Sequence, residues 1–296
     1  MLPSTPPRTI GILAPARKVS PAEMAPGIAL LESWGLKVKL SKHLYGEHHQ
    51  FSGTDAERAA DFQEMMNDAE VDAIISARGG YGCMRIVDRL DFTVLKKHPK
   101  WIIGFSDMTV FHSHLYRQLN LATLHAPMVY SMGENRTSAG ALEQLRRMLQ
   151  GEEVLYSVEN AVYNRKGKAE AVLVGGNLSL LYALSGSASD PDTNGKILFI
   201  EDLDEYLYHI DRMMLQLKRS GKLSGLKGLI VGGMSDMKDN TVPFGKTAEA
   251  IIAEAVAEYD FPVCMNFPAG HIHDNNPLRL GAKVTLEVGE SVSLQF

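Results

Sequence analysis

Apolar, β-branched runs alternate with amphipathic runs along the first half of the chain. Thr9–Ala14 (TIGILA) is predicted to be a short buried strand. Ser20-Pro-Ala-Glu23 follows as a capping box, with proline at the first helical position. The helix it opens runs through Ile28, Leu30 and Leu31 to Trp34, and Gly35 ends it. Leu36–Leu40 is a second strand. Thr54-Asp-Ala-Glu57 is another capping box, opening a helix to about Ala69. Val71–Ser76 and Trp101–Phe105 are the third and fourth strands. Strands that alternate with helices at this spacing imply a mostly parallel, doubly wound sheet covered on both faces.

The middle of the chain reads differently. Ser131–Gly167 holds a polar stretch (GENRTSAG), one helical pattern near Ala139–Leu149 and a charged connector (NRKGK). This places a first α/β domain at 1–150, a linker at 151–168 and a smaller second α/β domain at 169–296. In the second domain, Ala171–Val174, Lys196–Ile200, Leu226–Val231 and Pro262–Met265 are apolar runs suited to a parallel core. Helical patterns at Leu178–Leu184, Tyr206–Lys218 and Phe244–Tyr259 separate them, and Lys283–Phe296 alternates like a closing β-hairpin.

Composition narrows the function. The 296 residues are 45% hydrophobic and 22% charged, as in a globular protein with a real core. The net charge is −5 and no Lys/Arg block occurs, so a nucleic-acid partner is not expected. Two cysteines, Cys83 and Cys264, exclude a disulfide scaffold and a Cys-rich zinc site. No apolar run approaches the roughly 20 residues of a membrane span. The N-terminal MLPSTPPRTIGILAPA lacks the pattern of a secretory signal, so the expected location is cytoplasmic and no membrane partner is expected.

In open parallel sheets, ligands bind beyond the carboxyl ends of the strands, and several strands here end in unusual residues. Arg78-Gly79-Gly80-Tyr81-Gly82 follows the third. Its glycines suit a phosphate cradle, an oxyanion hole or a plain turn, but no GxxxxGK[ST] or clean GxGxxG is present. Gly104-Phe-Ser106-Asp107 follows the fourth strand. A serine there is either a nucleophile elbow or the N-cap of the next helix, and the elbow's usual second glycine is replaced by Met108.

A serine nucleophile needs a base and an orienting partner. His43, His48, His49 and His98 fall in polar loops and read as solvated, whereas His112 and His114 fall on the helix after Ser106. His125 ends a strand as a supporting residue. His271 follows Pro-Ala-Gly270 in a loop, where an accessible catalytic imidazole would sit. With His273 and Asp274 it also forms a possible metal cluster, short of a further ligand. Glu201 closes an apolar strand (ILFIE), an expensive place for a carboxylate unless it is paired, for instance with a histidine N–H. Asp202, Asp204 and Glu205 read as solvated or capping.

Taken together, these residues resemble the LD-carboxypeptidase family of serine peptidases, which includes muramoyltetrapeptide carboxypeptidases and microcin C self-immunity proteins. The matching motifs are Ala14-Pro15-Ala16, Phe51-Ser-Gly53-Thr-Asp55-x-x-Arg58, Arg78-Gly-Gly-Tyr-Gly82, Gly104-Phe-Ser106-Asp107 and His125-Ala-Pro127. Gly175-Gly-Asn177-Leu-Ser179, Ile200-Glu201-Asp202, Pro268-Ala-Gly270-His271 and Asn276-Pro277 continue the series through nearly the whole chain. The resemblance implies Ser106 as nucleophile, His271 as base and Glu201 as its carboxylate, in a cleft between two domains. It implies a homodimer, no metal and no cofactor. The backbone N–H groups of Gly80 and Asp107 are the candidate oxyanion hole, and Arg78, Gly79 and Tyr81 the candidate substrate-binding residues. The implied substrate is a murein tetrapeptide losing its terminal D-alanine in peptidoglycan recycling; the alternative within the fold is a peptidyl-nucleotide antibiotic. A metallohydrolase built on His271, His273 and Asp274, and a non-catalytic binding protein, are the rival classes.

Overall fold

The computed structural model describes residue 3 and residues 5–296. The first half runs β1 (Thr9–Leu13), α1 (Pro21–Ser33), β2 (Lys37–Leu40), α2 (Asp55–Asn67), β3 (Ala73–Ser76), α3 (Cys83–Ile86) and α4 (Val94–Lys97). It continues through β4 (Trp101–Gly104), α5 (Thr109–Leu119), β5 (Thr123–His125) and α6 (Ala139–Leu149). Both predicted capping boxes form: the Ser20 and Thr54 side chains accept from the N–H of Glu23 and Glu57, whose carboxylates accept from the capping residues in return. The five strands are parallel in the order β2-β1-β3-β4-β5. That order reverses between β1 and β3, which puts the natural ligand crevice at the loops following those strands.

Alternation along the strands divides the core. Ile10, Ile12, Ala73, Ile75 and Ile103 join Met24 and Leu31 of α1 on one face. Leu13, Ile74 and Ile102 join Phe62 and Met66 of α2 and Phe111 and Leu115 of α5 on the other. At Gly11 a Cβ would stand 2.7 Å from Met65 Sδ, so α2 lies closer to β1 than a larger residue permits.

The second half runs β6 (Leu155–Glu159), β7 (Gly167–Asn177), α7 (Leu178–Leu184), β8 (Ile197–Leu203), α8 (Leu207–Arg219) and β9 (Gly228–Ser235). Then come α9 (Ala248–Ala255), β10 (Val263–Cys264), β11 (Leu278–Leu280), β12 (Lys283–Val288) and β13 (Ser291–Gln295). Its sheet has the order β10-β9-β8-β7-β12-β13-β6. The first four strands are parallel, and β12–β13 is the expected hairpin. Val174, Leu198, Ile200 and Val231 pack on Ile210 and Met213 of α8 and Ile252 of α9. Leu173, Phe199, Ile230 and Leu286 face the other way and belong to the same cluster as Ile10 and Ile103. The two α/β domains therefore share one continuous core.

Three segments depart from the predicted organisation. The linker at 151–168 contains β6, which pairs with β13; its residues are mostly exposed, so the apolar pattern that marks a buried strand is missing. Leu278–Leu280 crosses back to pair antiparallel with β5, making a sixth strand of the first sheet. The predicted helix Phe244–Tyr259 is shorter, beginning after the Thr247 N-cap. Among the described residues no helix is long and apolar enough to cross a membrane.

Candidate active site

Ser106 sits where β4 turns into a single 3-10 turn, Ser106–Met108, ahead of α5. Its φ is +62°, in the left-handed region that a non-glycine residue adopts only under constraint. The flanking cap positions are Phe105 and Met108, so Ser106 is not an N-cap. The geometry is that of an elbow, with Ser106 at the carboxyl end of the sheet. Gly79 makes room for it: a Cβ there would stand 3.2 Å from Ser106 Cβ and 3.3 Å from Ser106 Oγ.

Glu201 lies near the end of β8 and is completely buried. Its Oε2 stands 2.6 Å from His271 Nδ1 and accepts the His271 backbone N–H at 3.3 Å. Two glycines enclose the carboxylate: a Cβ on Gly270 would meet Glu201 Oε2 at 2.8 Å, and one on Gly232 would meet Glu201 Cβ at 3.2 Å. Across the domain seam, the Phe105 ring lies 4.8 Å from the His271 ring, so the residue preceding Ser106 packs directly on the imidazole. The His271 loop is held by Gly270 N–H donating to Asn275 Oδ1 at 2.8 Å and Ser235 Oγ donating to His271 O at 2.8 Å.

The glycine loop is anchored from below. Asp107 Oδ2 accepts the Cys83 N–H at 2.8 Å, tying the end of RGGYG to the elbow. Buried Arg58 donates through Nη1 to Pro15 O and, at 3.1 Å, to Gly82 O, and pairs with Asp55. The Gly80 N–H takes part in none of the loop's backbone hydrogen bonds. Arg58→Met takes the donor from the buried Pro15 carbonyl and one of two partners from Gly82 O and from Asp55, which keep the Arg85 N–H and the Arg85 side chain respectively. It is expected to lower unfolding stability by about 2–4 kcal/mol in a urea titration; a loss below about 0.5 kcal/mol would contradict this anchoring role.

The sequence profile of the LD-carboxypeptidase N-terminal domain matches residues 10–126, and that of the C-terminal domain matches residues 170–286. The chain belongs to the LD-carboxypeptidase family. A "probable murein peptide carboxypeptidase" of Bacillus subtilis (strain 168) is 36% identical over 97% of this chain and 91% of its own. The microcin C7 self-immunity protein of Escherichia coli is 27% identical over 94% of this chain and 90% of its own. The crystal structure of muramoyltetrapeptide carboxypeptidase from Oxalobacter formigenes matches with a TM-score of 0.88 at 30% identity, covering 97% of this chain and 98% of that one. As a member of this family the protein is a carboxypeptidase.

In this LD-carboxypeptidase the remaining histidines fall into distinct settings. His112 is buried, its Nε2 2.8 Å from Gly104 O, and burial lowers its pKa to about 4. His125 is buried between the Phe105 and Phe199 rings. Burial holds it well below the usual histidine range, and nearby His112 and His271 act in the same direction. His43, expected to be solvated, instead sits 2.7 Å from the buried Asp61 carboxylate. His273 and Asp274 are exposed, and among the described residues no three His, Cys, Asp or Glu side chains are placed to hold a metal ion.

Sequence reasoning missed the network behind the site. Asp202 is buried rather than solvated; it accepts from Asn177 Nδ2 at 2.8 Å and from Ser179 N–H at 2.9 Å. Burial first, then the neighbouring Glu201 charge, push its pKa up to about 7. The Asn177 N–H donates to Thr109 Oγ1 at 2.9 Å, linking α5 behind the elbow to the end of β7, where Asn177 pairs in register with Glu201 of β8. The GGNLS motif was the available signal. Tyr81, a candidate substrate contact, is 47% exposed and lies 6.2 Å from the Phe51 ring.

The setting of His271 has a pH consequence. Burial acts to lower its pKa, but the Glu201 charge, the hydrogen bond to it and Asp202 together leave it raised above 6.5. A histidine acting as base works neutral, so kcat/KM is expected to fall as pH drops through this raised value. A pH–rate profile with its acid limb at or below 6.5 would contradict the assignment. The sign for stability is opposite: the pairing's contribution is complete below the unfolded pKa and is lost as pH rises through the folded one.

Proposed function

We propose that this protein is a serine LD-carboxypeptidase releasing the terminal D-alanine of murein tetrapeptides, with Ser106 as nucleophile, His271 as base and Glu201 as orienting carboxylate. The observation that carries this reading is the 2.6 Å Glu201–His271 contact set against Phe105, the residue before the left-handed Ser106. Glu201 accepts the proton-bearing Nδ1, which leaves Nε2 as the acceptor for the serine proton. Ser106 Oγ attacks the carbonyl of the diamino acid, the amide bond to D-alanine breaks, and His271 returns the proton to the departing amine. Water then hydrolyses the acyl-enzyme by the same base.

The Gly80 and Asp107 N–H groups are assigned to the oxyanion, one such donor being worth about 3–4 kcal/mol in the transition state. Arg78, Gly79 and Tyr81 are assigned to substrate binding. The reading uses no metal or cofactor, and places a homodimer in cytoplasmic peptidoglycan recycling. The name of the Bacillus subtilis relative favours a murein substrate over a peptidyl-nucleotide antibiotic.

Mass spectrometry of the protein with a murein tetrapeptide, and separately with an aminoacyl sulfamoyl nucleoside, tests this. D-Alanine release that survives a chelator is the expected result. Turnover of the nucleoside alone would move the assignment to the antibiotic substrate; activity that dies with the chelator would overturn the mechanism.

A further inference from the structure

Ser106 comes from one domain and the Glu201–His271 pair from the other, so the reaction depends on the distance across the seam between them. Buried apolar residues of both domains make that seam continuous, but apolar contacts are non-directional and fix a separation only loosely. Proton transfer from Ser106 Oγ to His271 Nε2 needs the two atoms about 2.6–3.2 Å apart. A misplacement of about 1 Å can cost about a hundredfold in rate. A directional contact beside the elbow would hold the spacing, and the structure has one.

That contact is made by Thr109, the first residue of α5, which is fully buried. Its backbone N–H donates to Ser106 O, closing the 3-10 turn of the elbow. Its side chain meets the second domain, where Oγ1 accepts the Asn177 N–H at 2.9 Å. One residue therefore grips the nucleophile's own carbonyl and the opposite domain at once. Asn177 ends β7, in register with Glu201 of β8. Its side chain is engaged within its own domain: Nδ2 donates to Asp202 Oδ1 at 2.8 Å, and Oδ1 accepts from Ser179 Oγ at 2.8 Å and Leu180 N–H at 3.2 Å. The approach is close as well as directional. Gly176 has φ +140°, and a Cβ there would stand 2.8 Å from Thr109 Cγ2, so glycine lets β7 come this near to α5. Phe105 against the His271 ring and Thr109 against Asn177 thus bracket Ser106 on both sides along the chain.

We propose that Thr109 is a positioning residue for the nucleophile: through its contact with Asn177 it sets the separation of Ser106 Oγ from His271 Nε2. This rests on the serine-triad reading above. The contact acts on geometry alone, because the Glu201–His271 pair makes its own hydrogen bonds without it.

The test is steady-state kinetics on the murein tetrapeptide, each variant assayed well below its melting temperature. Thr109→Val keeps the shape of the side chain and removes the acceptor; Thr109→Ser keeps the acceptor. The valine variant is expected to lose about 10–100-fold in kcat with KM within about twofold of wild type. The serine variant is expected to stay within about threefold of wild type. In both, the acid limb of kcat/KM should remain at its wild-type pH, unlike in Glu201→Gln. A valine variant within about twofold of wild-type kcat, whatever its melting temperature, makes the contact purely structural and overturns the proposal. A serine variant as slow as the valine one overturns it by assigning the effect to packing of the methyl group. A displaced acid limb in the valine variant overturns it by placing the effect on the base. If Thr109→Val does not fold, Thr109→Ala against Thr109→Ser decides by the same criteria. If the wild type turns over only the aminoacyl sulfamoyl nucleoside, the same comparison is read on that substrate. Ser106→Ala separates the two levels. If it keeps wild-type activity, or if the wild type turns over neither substrate, the triad reading fails and the proposal falls with it; if it is inactive, the outcomes above bear on Thr109 alone.

Discussion

Ser106→Ala is expected to slow D-alanine release by about 10^4-fold or more while leaving tetrapeptide affinity within about twofold of wild type. The nucleophile contributes only to the bond-forming step, so its loss falls on kcat. The fold should tolerate the change. Alanine occupies less space than serine, Gly79 already leaves the position uncrowded, and Ser106 caps no helix. The left-handed φ of +62° is imposed by the elbow and is about as strained with alanine as with serine. The Glu201–His271 pair does not depend on Ser106 for either hydrogen bond, so the base stays in place. Single-turnover mass spectrometry gives the rate and calorimetry the affinity. A rate loss under about tenfold would remove Ser106 from the mechanism. Equal losses in rate and affinity would instead make it a binding residue.

Much of this site was legible locally, and the reason is the range of each interaction. Ser20-x-x-Glu23 and Thr54-x-x-Glu57 complete their hydrogen bonds within four residues, so the sequence alone states the helix starts. The parallel core was legible because strands buried on both faces are near-continuous apolar runs, as in residues 73–75 and 101–103. Ser106 was ambiguous because a cap and an elbow both place a serine between strand and helix; only the backbone angle separates them. The pairing of Glu201 with His271 spans 70 positions, and no local pattern reports it. Arg58 stood out only as the last residue of the Phe51–Arg58 motif, which assigns it no role; it is buried under the glycine loop because Pro15 and Gly82 present carbonyls there.

Glu201→Gln is expected to lower kcat by about 10^3–10^4-fold, with a displaced pH profile. Glutamine is nearly isosteric, so the enclosing Gly232 and Gly270 are not disturbed. The amide, however, has two ways to sit and both fail. With its oxygen in the Oε2 position it still accepts from His271 Nδ1 and the backbone N–H. Its NH2 group then lies where Glu201 Oε1 now sits, buried and without a partner among the described residues. The negative charge that stabilises the imidazolium in the transition state is also gone. With the NH2 group turned to His271, it opposes the backbone N–H and forces the imidazole proton onto Nε2, which can no longer accept from serine. The pH profile distinguishes this role from a general loss of structure. The Glu201 charge and hydrogen bond are the main influences that raise the His271 pKa against burial. Without them burial prevails, and the acid limb of kcat/KM should move to lower pH than in wild type, even as the plateau rate falls. A variant that loses less than about tenfold and keeps the wild-type limb would show that Glu201 neither orients nor charges His271. A variant that loses activity with an unshifted limb and a lowered melting temperature would reduce Glu201 to a packing residue.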